Sequence, residues 1–171
     1  MQTTDKMRTI TTLAVALLLL IGQGCNTKNE KQEKMESDET TLNSIFPIGE
    51  KGSAEWFTGN AYPTSLLEAD SIYTTLAGNV YFEPGARSNW HTHPSGQILI
   101  ITDGIGYYQI EGQPIEIMKK GDVVKFPPNV RHWHGASTDA GVQQLYIIPN
   151  TEKGIVEWME PVSDEVYNST K

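Results

Sequence analysis

All four histidines of the 171-residue chain fall into two H-x-H pairs, His91 and His93 in NWHTHPSGQ and His132 and His134 in VRHWHGA. Residues two apart on a strand face the same side, so each pair presents two imidazoles together. Two adjacent imidazoles are half of a metal site. After the first pair, Pro94, Ser95 and Gly96 bend the chain, and Gln97 opens the apolar run QILIIT, placed to return its side-chain oxygen toward the histidines. His132, from the later stretch, completes three nitrogen donors and one oxygen donor, with coordination positions left open for water or substrate. An open site of this kind is catalytic rather than structural.

Parity places the neighbouring residues. His134 shares the parity of His132 and is a candidate acid or base, or else a residue that orients His132 or a water. Arg87 shares the parity of His91. On a continuous strand it faces the cavity and attracts an anionic ligand; near a strand end it is a surface arginine. Trp90 and Trp133 have the opposite parity and are assigned to packing between sheets or at a subunit contact. Tyr107, Tyr108 and Tyr146 read as core or rim.

The elements that must carry these residues are short. From Leu42 onward, apolar or alternating runs (AYPTSLL, TLAGNVYFE, QILIIT, IGYYQIE, PIEIM, VVKF, VQQLYII) are separated by turn signals at TDG (102–104), EGQP (111–114) and KKGD (119–122). None of this region carries a long helical period. Many short strands predict an antiparallel sandwich or barrel over residues 42–150. Residues 151–171 form a C-terminal extension expected to pack a strand or short helix on the barrel or on a neighbour. With 38% apolar and 20% charged residues the chain suits one modest domain, and a net charge of −8 without a basic stripe excludes a nucleic-acid backbone as partner.

The amino terminus reads as targeting rather than fold. Lys6 and Arg8 precede a nine-residue apolar run, Leu13 to Ile21, and GQGC closes it. A membrane-spanning helix needs about 20 such residues, so residues 1–24 are expected to be a signal peptide. Cys25, the only cysteine, excludes an intramolecular disulfide. GQGC resembles a bacterial lipobox, which implies acylation of Cys25 and a lipid-anchored protein of the cell envelope, periplasmic or at the outer membrane. Residues 25–41, dense in Lys, Glu and Asp, are expected to be a solvated tether.

Two spaced motifs carry a family resemblance. Gly85-x5-His91-x-His93-x3-Gln97-x6-Gly104 resembles the first cupin motif, and Gly121-x5-Pro127-x4-His132 the second, with Asn129 where the family usually has Gly. Together they span about 50 residues, with sixteen (105–120) between them. The resemblance implies a double-stranded β-helix, or jelly-roll, barrel holding one divalent metal near its mouth, commonly as a homodimer. RSNWHTHPSGQ with VRHWHGA is similar to bacterial cupins of the (R)-mandelonitrile, or hydroxynitrile, lyase type. Those have a manganese-type centre of three His and one Gln, which map onto His91, His93, Gln97 and His132.

The usual oxygen ligand of the first motif is Glu, and a neutral Gln leaves the full charge on the metal, a stronger Lewis acid held less tightly. The lyases carry a further histidine near the substrate twelve residues beyond the last ligand. Here that position is Gln144, a substrate-side residue that cannot shuttle a proton. The expected function is a metal-dependent lyase on small hydroxy or carbonyl compounds, using manganese, or iron, zinc, nickel or cobalt. Its rivals are a cupin dioxygenase of the quercetinase type, which consumes oxygen, and a non-catalytic metal- or ligand-binding module of the envelope.

Overall fold

The computed structural model describes residues 44–169. The expected signal peptide (1–24), Cys25 and the expected tether (25–41) lie outside them. Among the described residues eleven strands make a nearly closed antiparallel barrel, in agreement with the all-β, jelly-roll expectation. One wall contains β2 (Ala61–Leu67), β3 (Leu76–Phe82), β10 (Val142–Ile148) and β8 (Val123–Phe126). The other contains β1 (Phe57–Thr58), β4 (Arg87–Ser88), β5 (His91–Thr92), β9 (His132–Ala136), β7 (Glu116–Lys119) and β11 (Glu157–Trp158).

The 14-residue β6 (Gln97–Ile110) belongs to both walls. Its first half pairs with β8 and β10, and its second half with β7 and β9. QILIIT and IGYYQIE are therefore one strand, and TDG is a bend within it rather than a turn between two strands. Gly104 makes the bend possible. Its φ is +79°, and a Cβ there would lie 2.0 Å from the Gly141 carbonyl oxygen, so no other residue fits without backbone movement.

Strand alternation builds the core. Leu99 and Ile101 point inward with Val80, Phe82, Met118, Val124, Phe126 and Val142. A second cluster lies on the outer side of the β9 wall, where Trp90 and Trp133 pack against Val162 and Tyr167 of the chain's own C-terminal segment. That segment adds β11 alongside β5 and ends in a one-turn helix, α1 (Asp164–Tyr167), whose N-cap Ser163 accepts from the Val166 N–H.

Candidate metal centre

His91 and His132 are direct register partners between β5 and β9, with ring centroids 4.3 Å apart. His93 follows just after β5. Ligand nitrogens of His91, His93 and His132 all lie within 4.8 Å of one another. Each ring is oriented by a backbone carbonyl: Nδ1 of His91 meets Asn89 O at 2.9 Å, Nδ1 of His132 meets Val130 O at 2.8 Å, and Nδ1 of His93 meets Ile155 O at 2.6 Å. A carbonyl only accepts, so in each ring Nδ1 carries the hydrogen and Nε2 keeps its lone pair for the site.

Two observations fit a cation here. His93 Nε2 is buried without a hydrogen-bond partner among the described residues, and Gln97 Oε1 stands 3.1 Å from His132 Nε2. With the three rings in these tautomers, His132 and Gln97 bring lone pair toward lone pair, an arrangement a cation between the donors would stabilise. The rings are also suited as ligands because they are neutral. Burial, reinforced by the neighbouring imidazoles, drives His91 well below its usual value; burial lowers His93, and holds His132 down at about 3.

His134 faces the same interior but does not join the trio. Its Nδ1 is hydrogen-bonded to the Gln144 side-chain amide, and its backbone N–H donates to Ser88 Oγ. Phe82 meets its ring edge-on at 5.8 Å. Burial, first of all, and the neighbouring His132 and His93 imidazoles push it well below its usual value, so it too is neutral at pH 7. Gln144 is fully buried behind it rather than on the cavity wall. An amide serves either tautomer. Its N–H₂ donates to a bare Nδ1, or its oxygen accepts from an Nδ1–H and leaves Nε2 free as a base.

The site opens into a cavity of about 460 Å³. His91, His93, Gln97 and His134 line its floor, and Trp56, Phe57, Val80, Phe82, Tyr146 and Trp158 contribute to its walls, with no Asp, Glu, Lys or Arg among the described lining residues. Trp56 and Trp158 stack at 5.8 Å with their planes 8° apart. Sequence reading placed Tyr146 at the core or rim and missed Trp56 and Trp158. The alternation of Val156 and Trp158 in GIVEW was the available signal for the latter; Trp56, outside any strand, had none.

Arg87 requires a correction, because it does not face the cavity. Arg87 pairs with Gly135 and His91 with His132, so four steps on one strand run against three on the other. The extra residue reverses the parity, as a bulge does. The guanidinium lies on the outer side, bonded to the Val162 carbonyl and Asp164. A further departure is accommodated: Asn129, where the motif usually has Gly, adopts φ +60°, a conformation Asn tolerates better than most residues.

Residues 78–148 match the cupin domain family. Over 117 residues the chain is 45% identical to an (R)-mandelonitrile lyase of Granulicella tundricola, covering 68% of this chain and 89% of the lyase. The chain is a cupin. This cupin is also 47% identical to a cupin-like protein of Thermotoga maritima of solved structure, with a TM-score of 0.72 over 73% of this chain and 95% of that one. Its fold extends further, to a DMSP lyase of Ruegeria pomeroyi at 20% identity and a TM-score of 0.53, covering 73% of this cupin and 64% of that chain.

Proposed function

We propose that this cupin is a metal-dependent lyase for small, neutral hydroxy or carbonyl compounds, and that cleavage of a cyanohydrin such as mandelonitrile to an aldehyde and hydrogen cyanide is its reaction. One observation carries the reading. Three oriented imidazoles and a neutral amide oxygen converge inside the barrel, and His91, His93 and Gln97 of this set line the floor of a cavity whose walls are apolar, aromatic and uncharged. The relationship to the lyase of Granulicella tundricola supports it.

His91, His93, Gln97 and His132 would hold a divalent cation, manganese by preference, which when bound supplies Lewis acidity toward the substrate hydroxyl. Because none of the four donors is anionic, none of its charge is neutralised by the protein. His134 takes the hydroxyl proton as the O–H pair becomes the carbonyl π bond. The carbon–cyanide bond breaks with its electron pair on cyanide, which then receives that proton, so the reaction needs no co-reactant. The aromatic walls exclude water and accept an aryl group.

The test is benzaldehyde release from racemic mandelonitrile by protein loaded separately with manganese, iron and zinc, beside a His91→Ala control. Metal-dependent release that the control lacks is the expected result. Equal rates would overturn cyanohydrin cleavage while leaving the metal centre standing, and oxygen consumption with aromatic substrates would then favour a dioxygenase. We also propose lipid anchoring at Cys25 in the envelope, checked by fatty-acid labelling that Cys25→Ser abolishes, and a homodimer, checked by sedimentation of the purified protein.

A further inference from the structure

The segment that follows the barrel reaches the metal centre at two points. The Ile155 carbonyl accepts from His93 Nδ1 at 2.6 Å. Trp158, in register with His91, holds its indole 4.9 Å from the His91 ring. Ile155, Val156 and Trp158 also form part of the cavity wall. All three lie beyond the residues 78–148 that match the cupin family, so a segment outside the matched region orients one ligand and walls in another.

Such a segment cannot hold itself in place. Its strand β11 has two residues and α1 has four, far short of what is stable alone. Met159 N–H to Trp90 O and Trp90 N–H to Glu160 O tie its middle. Its far end is held by Arg87. Nη2 donates to Val162 O at 2.8 Å and Nε to the same carbonyl at 3.2 Å, and the guanidinium lies 4.5 Å over the Tyr167 ring. Tyr167 in turn donates to Ala136 O at 2.8 Å, in the strand that carries His132 and His134. The Arg87 side chain is 5% exposed, whereas its ion-pair partner Asp164 is 85% exposed. The carbonyl and the ring therefore make the latch, and the ion pair adds little.

We infer that Arg87 is a positioning residue for the metal centre: by latching the C-terminal strap at Val162 and Tyr167 it keeps Ile155 against His93 and Trp158 against His91, so cation affinity depends on a closure outside the barrel. The inference rests on the metal centre and not on the lyase chemistry. It also has a reciprocal consequence. If strap closure tightens the cation, bound cation must favour strap closure by the same factor.

Cobalt(II) alone is the probe, its affinity read from visible absorption of the full chain. Arg87→Met keeps an unbranched stem beside Tyr167 and removes every donor. It is expected to weaken cobalt binding about 10-fold, the low end of losses when a ligand's orienting partner is disturbed, and Arg87→Lys, which keeps a cationic donor group without the guanidinium fork, should fall between. In the unchanged protein, cobalt should slow hydrogen exchange at Met159 and Tyr167 by a similar factor, and this decides the matter if Arg87→Met does not fold. An Arg87→Met protein that melts earlier without metal yet binds cobalt as tightly as the parent would overturn the inference and leave the centre intact. So would strap amides indifferent to cobalt. A parent protein that takes up no cobalt would overturn the centre and the inference together.

Discussion

Gln97 Oε1 and His132 Nε2 meet at 3.1 Å across the inside of the barrel, although the ladder partner of His132 on β6 is Ile110, at the opposite end of that strand from Gln97. The bend at Gly104 carries β6 from one wall to the other. The contact exists only because the barrel curls closed. Phe126, paired with Gln97 on β8, stacks on the His132 ring at 3.7 Å and keeps it turned to the amide.

Exchanging this amide for a carboxylate changes the charge at the centre with little change in shape. Gln97→Glu is expected to tighten manganese or cobalt binding about 10-fold and to slow mandelonitrile cleavage, because an anionic ligand offsets part of the cation's charge. Metal titration and steady-state kinetics check the two effects. Faster turnover with tighter metal would contradict the account of the neutral ligand.

Among the described residues His93 has no protein partner at Nε2, so its removal costs a ligand as well as the Nδ1 hydrogen bond to the Ile155 carbonyl. His93→Ala should lose roughly 100-fold or more in cobalt affinity by titration while remaining folded by circular dichroism. Undiminished uptake would remove His93 from the ligand set.

His134 is expected to act on protons and not on metal. His134→Ala should keep the parent's cobalt affinity within about twofold and lower kcat by about 100-fold or more, the range of a lost general acid–base group. Gln144→Leu, which removes the amide from His134 Nδ1, should produce a smaller fall in kcat, again with metal retained. A variant at His134 that loses metal and activity together would make it a ligand.

Tyr167 connects the latch to pH. Burial, with the Tyr107 charge, raises its hydroxyl to about 12 despite the opposing Arg87 charge. The unfolded value is near 10. Stability from this group is therefore complete below pH 10 and declines as pH rises from 10 toward 12, because the unfolded chain releases the proton first. Denaturant midpoints across that window should fall less steeply in Tyr167→Phe. Identical slopes would show that the hydroxyl does not carry the effect.

Gly104→Ala tests the bend. Left-handed backbone and the 2.0 Å approach to Gly141 O make the change destabilising by at least about 2 kcal/mol in chemical unfolding. A smaller loss would mean that the two halves of β6 can separate without cost.

Much of the site is legible because it depends on local geometry. A two-residue period places His91 beside His93 and His132 beside His134 whatever the rest of the chain does, and Pro94 to Gly96 can only return the chain at Gln97. Short alternating runs likewise require a sheet with one buried face. Arg87 shows the limit of this reasoning, since one extra residue opposite β9 reversed its side, and a bulge leaves no mark in the alternation of nearby residues. The TDG stretch shows another, because a glycine bend and a glycine turn have the same composition.

By itself the sequence determined the candidate donor types, their pairing and the all-β class, because side-chain chemistry and strand parity are properties of neighbouring residues. Only the tertiary structure decided that Ile155 orients His93, that Trp56 and Trp158 stack beside the cavity, and that Arg87 clasps the C-terminal strap. Those contacts join residues between 62 and 102 positions apart. Separations of that length are set by how the barrel closes and by which surface the last segment can cover, and neither is encoded in a local period.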